Sequence, residues 1–273
     1  MKIGCQTFTW EMLGPGFTGS VGDMVDAIAS AGYSGIETSN NMIQGYQHDA
    51  AGFKALLAKR GIDFIAYAFS VPSGFTVPER ADEDVEAAST AMDFLAQFPG
   101  TVLSVGCPTD YRGLGDDAVS IDVAAGIFNR IGALGRERGV PVAVHPSSHH
   151  GSVIVNRAQY ARLMDKTDPA LVKWVPDTGH IIRGRQDIPE TLSLFADRIL
   201  YVHLKDADRS GTWQMMGEGD CDILGVVGHL RETLGFDGWI VAEEESKTAA
   251  ENPSGAIRAN RDFLVSAYPD LAR

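Results

Sequence analysis

The chain has 273 residues and a formal net charge of −13, and its length suits one α/β barrel. An acidic surface argues against binding to nucleic acids and to anionic membranes, because both need clustered Lys and Arg. The three cysteines, Cys5, Cys107 and Cys221, are too widely spaced to predict a disulfide framework or a thiolate zinc site. We find no apolar signal segment at the N-terminus and no run near the ~20 apolar residues of a membrane helix, and therefore expect a cytoplasmic protein.

Four segments repeat one pattern, in which a helix-like stretch is followed by a Gly and then by a short β-branched and aromatic run. They are "SAGYSGIETSN", "AKRGIDFIAYAF", "RERGVPVAVHPS" and "TLGFDGWIVAEEES". A Gly just past a helix is the usual left-handed C-cap, and the run that follows is typical of a buried strand. The spacing therefore predicts alternating β and α units along the chain.

The predicted strands, in chain order, cover 2–9, 34–39, 62–69, 101–107, 140–146, 172–177, 199–204 and 238–245. The predicted helices cover 20–31, 49–60, 82–97, 118–138, 157–166, 187–196, 222–234 and 254–267. Ser20 or Asp23 is a candidate N-cap of the first helix, and Asp49 of the second.

Eight such units without a linker predict a single (β/α)8 TIM barrel domain over residues 1–273. A doubly wound open sheet is the alternative. It would need a nucleotide-binding signature after the first strand, and "CQTFTWEMLGPGFTG" contains none.

Polar and aromatic residues lie at or just beyond the carboxyl ends of the predicted strands, where barrel enzymes carry their catalytic groups. They are Gln6 and Trp10 at the first strand, Glu37 at the second, His145 and His149 at the fifth, Asp177 and His180 at the sixth, His203, Lys205 and Asp206 at the seventh, and Glu243, Glu244 and Glu245 at the eighth. Five of the seven histidines follow the fifth, sixth and seventh strands. Mixed imidazole and carboxylate groups suit Mn, Co, Zn or Fe better than Ca.

Each of these residues also has a purely structural interpretation. Asp177 could be the N-cap of a short turn in "PDTGH", His203 could be a half-buried strand histidine with one hydrogen bond, and Glu37 could pair with a nearby Lys or Arg. The joint pattern favours a metal site, because four strands in succession end in a ligand-type residue.

Side chains alternate along a strand, so residues 243 and 245 should point one way and residue 244 the other. Glu243 is nearer the body of the strand and is the favoured ligand. Glu245 should lie above it, toward a substrate.

The succession of "DTGH", "VHLKD", "GEGDCDI" and a glutamate after "GFDGWIV" resembles the xylose isomerase-like barrel superfamily over essentially the whole chain. Inosose dehydratases and the barrel subunits of enzymes that cleave 3-oxo-C-glycosides are the most similar branches. The resemblance implies one divalent metal ion, with Mn expected first and Co, Zn, Fe or Mg as alternatives. It also implies the ligands Asp177, His203 and Glu243, with His145 where the family commonly has a carboxylate, or else His149 from the following loop.

The resemblance further implies a metal-dependent carbohydrate lyase, which abstracts a proton next to a metal-bound carbonyl and then eliminates a β-substituent. Its substrate would be a keto-cyclitol or a 3-oxo-sugar, and a sugar isomerase or epimerase with the same enolisation chemistry is the alternative. The expected catalytic residues are His180, Glu245 and, if it is not a ligand, His145 for proton transfer, and Lys205 for the developing oxyanion. The expected substrate-binding residues are Gln6, Trp10, Glu37, His149 and Trp213.

The expected partner is therefore a small sugar or cyclitol, and a homo-oligomer or a smaller partner subunit remains open. A DNA repair endonuclease on the same barrel is disfavoured by the charge of −13. A non-catalytic binding subunit is a further alternative, for which the loop "WQMMG" is a weak indication.

Overall fold

The computed structural model describes residues 1–113, 115 and 117–272. Its contacts divide the chain into two compact units, Met1–Ala66 with Tyr201–Arg273, and Tyr67–Leu200. A single domain over the whole chain stays a prediction.

The strands, in chain order, are β1 Lys2–Gln6, β2 Gly35–Ser39, β3 Asp63–Phe69, β4 Val102–Val105, β5 Val142–Val144, β6 Lys173–Trp174, β7 Val202–Leu204, β8 Asp206–Ala207, β9 Trp213–Gln214 and β10 Trp239–Ala242. The α-helices are α1 Phe8–Glu11, α2 Val21–Ala31, α3 Ala50–Arg60, α4 Ala81–Leu95, α5 Asp117–Arg138, α6 Arg157–Lys166, α7 Thr178–Arg183, α8 Ile188–Leu194, α9 Ile223–Gly228, α10 Lys247–Glu251 and α11 Pro253–Ala267.

In the first unit, parallel strands pair in the order β7, β10, β1, β2. The register sets Gln6 beside Glu37 and Val241 beside His203, so the carboxyl ends of these strands lie at one edge of the sheet. The antiparallel pair of β8 and β9 follows β7 directly. That hairpin was not expected from the sequence.

In the second unit, β4 pairs with β5 and β5 with β6, again in parallel. The end of β3 joins this set, since the amide of Gly106 donates to the carbonyl of Phe69. The indole of Trp174 is fully buried between Tyr160 and Phe195, with ring centroids 5.9 Å and 5.7 Å away. This packing anchors β6 immediately before the "PDTGH" segment.

The helix boundaries confirm the predicted caps. Ser20 and Asp23 form a reciprocal capping box at the start of α2, and Asp49 caps α3 through the amide of Gly52. Both helices end in a left-handed glycine, Gly32 with φ +93° and Gly61 with φ +66°.

Strand ends differ from the prediction by a few residues, and the sixth strand by more. β1 stops at Gln6 because the chain turns into α1, and β6 is only two residues long. Pro176 lacks an amide hydrogen and Asp177 begins α7, so the ladder cannot continue through them. The predicted helix 222–234 is α9 followed by a π-helical turn over His229–Thr233.

One helix among the described residues is long and apolar enough to cross a membrane, by length and composition only. It is α5, with 22 residues, and half of its most apolar window is buried inside the protein. Ile121, Phe128 and Ile131 form part of that buried side. The core helix of a soluble protein passes the same test, so the evidence for a membrane span is weak.

Candidate functional site

In the first unit, the imidazole of His203 lies between two carboxylates. Its Nε2 is 2.7 Å from Oε2 of Glu37, and its Nδ1 is 2.5 Å from Oε2 of Glu243. All three side chains are almost completely buried. A carboxylate on one ring nitrogen holds an imidazole in a fixed orientation for a ligand role at the other nitrogen. Glu37 therefore orients His203. The contact of Glu37 with substrate hydroxyls stays a prediction.

Lys205 is buried beside this group. Its Nζ is 2.5 Å from Oε1 of Glu243 and 2.5 Å from Oε1 of Glu245, and it lies 4.7 Å from the ring centroid of Trp213. Glu243 and Glu245 share this ammonium group, and Glu37 and Glu243 flank His203. Buried carboxylates are favourable only beside positive charge, so this acidic set of groups suits a cation.

Glu244 points away from this group, as the alternation along β10 predicts. Its two oxygens accept hydrogen bonds from the amide of Ser246 and from Nδ2 of Asn260, both at 2.7 Å. Burial raises the pKa of Glu244, and the hydrogen bonds oppose that shift only in part. Glu244 thus holds α11 and the chain after β10 together.

In the second unit, the two oxygens of Asp177 have different surroundings. Oδ1 accepts a hydrogen bond of 2.9 Å from the amide of His180, which makes Asp177 the N-cap of α7. Oδ2 lies 3.6 Å from Nε2 of His145. That distance is too long for a hydrogen bond but close to the ~3.4 Å between two ligand atoms of a tetrahedral ion with bonds of about 2.1 Å. The cap and the ligand interpretation are therefore compatible.

His180 follows one turn later, and 1 % of it is exposed. Its Nδ1 is 3.0 Å from the amide nitrogen of Ser148 and 2.8 Å from the Ser148 hydroxyl. The rings of His145 and His149 pack edge-on against it, with centroids 5.8 Å and 5.0 Å away. The structure thus brings together three of the histidines that the sequence singled out, although His149 itself is exposed.

The remaining predicted substrate-binding residues lie in the first unit. Gln6 is buried and its Oε1 accepts a hydrogen bond from the amide of Phe8. Trp10 lies on α1 and is 5 % exposed, whereas Trp213 is half-buried and covers the ammonium group of Lys205. Their contacts with a substrate stay predictions.

Asp206, the last residue of "HLKD", has a role that the sequence did not indicate. It is buried, and it accepts hydrogen bonds from the amides of Ala207, Gly217, Gly219 and Cys221 at 2.9 to 3.1 Å. A Cβ at Gly219 would lie 2.2 Å from the Asp206 carboxylate, so the glycine is required there. The only sequence signal is the joint presence of "HLKD" and "GEGDC". Asp206 anchors the loop that carries Trp213 next to Lys205.

Comparison with known proteins identifies the fold. The family model described as "Xylose isomerase-like TIM barrel" matches residues 25–267. An inosose dehydratase of Geobacillus thermodenitrificans is 28% identical over 269 residues, which cover 88% of this chain and 87% of that protein. These matches confirm the predicted (β/α)8 barrel.

Two solved structures share this fold over almost their whole length. The 3-keto-D-glucoside 4-epimerase of E. coli has a TM-score of 0.78 and 18% identity, covering 97% of this chain and 99% of that chain. The IOLI protein with a bound zinc atom has a TM-score of 0.79 and 14% identity, covering 99% of each chain. The relative named inosose dehydratase agrees with the prediction of an enzyme.

Proposed function

Because the chain belongs to the xylose isomerase-like TIM barrel family, we propose that it is a metal-dependent lyase acting on a keto-cyclitol or a 3-oxo-sugar. The observation that carries the proposal is the pairing of imidazole and carboxylate groups at the strand ends of both units, His145 with Asp177 and His203 with Glu243. The relative named inosose dehydratase supports elimination from a keto-cyclitol.

The donor types at these strand ends suit a divalent cation. Imidazole and carboxylate groups together are ligands that transition metals accept, and the family resemblance puts Mn first, with Co, Zn, Fe or Mg as alternatives. We assign His145, Asp177, His203 and Glu243 as the residues that would hold it. When bound, the cation would supply Lewis acidity, which polarises a substrate carbonyl and makes the neighbouring C–H group more acidic.

The other buried groups supply the remaining parts of an elimination. The carboxylate of Glu245 is a candidate to take the proton from carbon, because its Oε1 lies 2.5 Å from the ammonium group of Lys205, which also contacts Glu243. The ammonium of Lys205 would stabilise the negative charge that then develops on the substrate oxygen, since a fixed cation is most effective where water is excluded. The β-substituent leaves as the electron pair of the broken C–H bond forms the new C=C bond.

The test is proton NMR in D₂O of the manganese-loaded protein with keto-inositols, 3-oxo-glucosides and ketoses. We expect loss of a β-substituent and appearance of an enone. Deuterium in a recovered or isomeric sugar without elimination would instead support a sugar isomerase or epimerase. Metal-loaded protein that is inert toward all of these compounds would contradict the proposal.

A matched pair of variants tests the role of the base. Glu245→Gln keeps a hydrogen-bonding oxygen for Lys205 but removes the basic carboxylate, and should slow the reaction by about 10²–10⁴-fold. Glu244→Gln changes the adjacent glutamate, which faces Ser246 and Asn260, and should leave turnover within a few fold. Equal losses in both variants would remove Glu245 from the mechanism.

A further inference from the structure

The surroundings of His180 define which of its ring nitrogens carries the proton. The amide N–H of Ser148 points at Nδ1 from 3.0 Å, and a backbone amide can only donate. Nδ1 must therefore be the acceptor and carry no hydrogen. In the other neutral tautomer, the proton on Nδ1 and the amide proton of Ser148 would face each other at that distance.

The hydroxyl of Ser148 does not change this assignment. It lies 2.8 Å from Nδ1 and, as a rotor, can donate or accept. Only the amide has a fixed role, and the amide belongs to the loop after β5, which also carries His149. The contact joins residues 32 positions apart in the chain.

We infer that Ser148 is a positioning residue that holds His180 as the Nε2–H tautomer, so that His180 donates a hydrogen bond through Nε2 and does not act as the base. The assignment of the tautomer stands on the geometry alone, whereas its meaning for the reaction rests on the proposed function. Proton abstraction then belongs to another group, and His180 is removed from the set of three candidate bases.

The test begins with the tautomer itself. Long-range ¹H–¹⁵N NMR of the zinc-loaded full chain, near pH 8, distinguishes protonated from unprotonated ring nitrogens, and the signals of His180 are those lost in His180→Gln. We expect a bare Nδ1 and a protonated Nε2. Ser148→Ala keeps the amide and should keep this pattern, whereas Ser148→Pro removes the amide and should allow Nδ1–H. If Ser148→Pro does not fold, the wild-type spectrum still shows which ring nitrogen of His180 is protonated. A protonated Nδ1 in the wild-type protein would overturn the inference.

The rate of enone formation tests the consequence for catalysis. Glutamine can donate a hydrogen bond but cannot serve as a base, so His180→Gln should slow elimination by no more than about tenfold, the value of one hydrogen bond. A loss of about 10²–10⁴-fold would mark His180 as the base and overturn its donor role. Wild-type protein that forms no enone would contradict the proposed function, whereas the assignment of the tautomer by NMR would not depend on that result.

Discussion

Replacing Asp206 by Asn tests whether one buried carboxylate holds the loop over Lys205. Each oxygen of Asp206 accepts two amide hydrogens, Oδ1 from Ala207 and Cys221, and Oδ2 from Gly217 and Gly219. Asn has one oxygen and one NH₂ group, so two of the four amides would lose their acceptor and face a donor. A buried donor without an acceptor costs about 1–3 kcal/mol, so we expect Asp206→Asn to lower the free energy of unfolding by about 2–6 kcal/mol.

Urea unfolding of the full chain measures this loss, and amide hydrogen exchange locates it. Exchange should accelerate at Gly217, Gly219 and Cys221 before it does so elsewhere. Asp220→Asn is the matched control, because Asp220 lies in the same loop, is exposed, and accepts only one amide hydrogen bond, from Arg209 at 2.9 Å. That variant should stay within about 0.5 kcal/mol of the wild type.

Two results would refute this reasoning. Either Asp206→Asn unfolds at the same urea concentration as the wild type, or Asp220→Asn loses as much stability as Asp206→Asn. In either case the four hydrogen bonds would not be what holds the loop.

Three further predictions follow from the same contacts. Asp177→Asn keeps an oxygen that can cap α7, so the helix should remain, but tight metal binding measured by isothermal titration calorimetry should be lost. Asp187→Asn changes the N-cap of α8 and should leave the metal affinity unchanged. Equal metal affinities in the two variants would remove Asp177 from the ligand set. Lys205→Met removes the buried ammonium group that Glu243 and Glu245 share, and should destabilise the metal-free protein by about 3–5 kcal/mol, but less after manganese is added, in urea unfolding. The same loss with and without metal would count against a cation beside these groups. Hydrogen bonds lower the pKa of Asp208 from 3.8 to about 2, and the bond from the Ser210 hydroxyl contributes most. The stability that Asp208 contributes is therefore present above pH ~4 and disappears as the pH falls toward 2. The gap in thermal midpoint between wild type and Asp208→Asn should therefore narrow over that range, and a gap that widens would contradict the assignment.

Local patterns in the sequence were sufficient for the architecture. Glycines such as Gly32 and Gly61 mark helix ends because only a residue without a Cβ takes their left-handed conformation at low cost. The two-residue period of a strand likewise predicts that Glu244 and Glu245 point in opposite directions, as the structure has them. The motifs "DTGH" and "VHLKD" indicated the family, and the family model that matches residues 25–267 confirms it.

The sequence left open what each polar atom contacts. Asp177 could be a cap or a ligand by its sequence, and only the fold showed that Oδ1 takes one role and Oδ2 faces His145. Ser148 carried no recognisable signal, because it acts through its own backbone amide, which the fold brings to His180. The role of Asp206 likewise depends on four backbone amides that the folded loop brings to its carboxylate.

The physical reason is the range of the interactions. Helix caps and strand alternation involve residues within a few positions of one another, so composition and spacing predict them. The contact of Ser148 with His180 spans 32 positions, and that of Glu37 with His203 spans 166. Such contacts exist only after strands have paired and loops have packed, so the sequence by itself determined the barrel and its candidate residues, and the tertiary structure decided the partner of each atom.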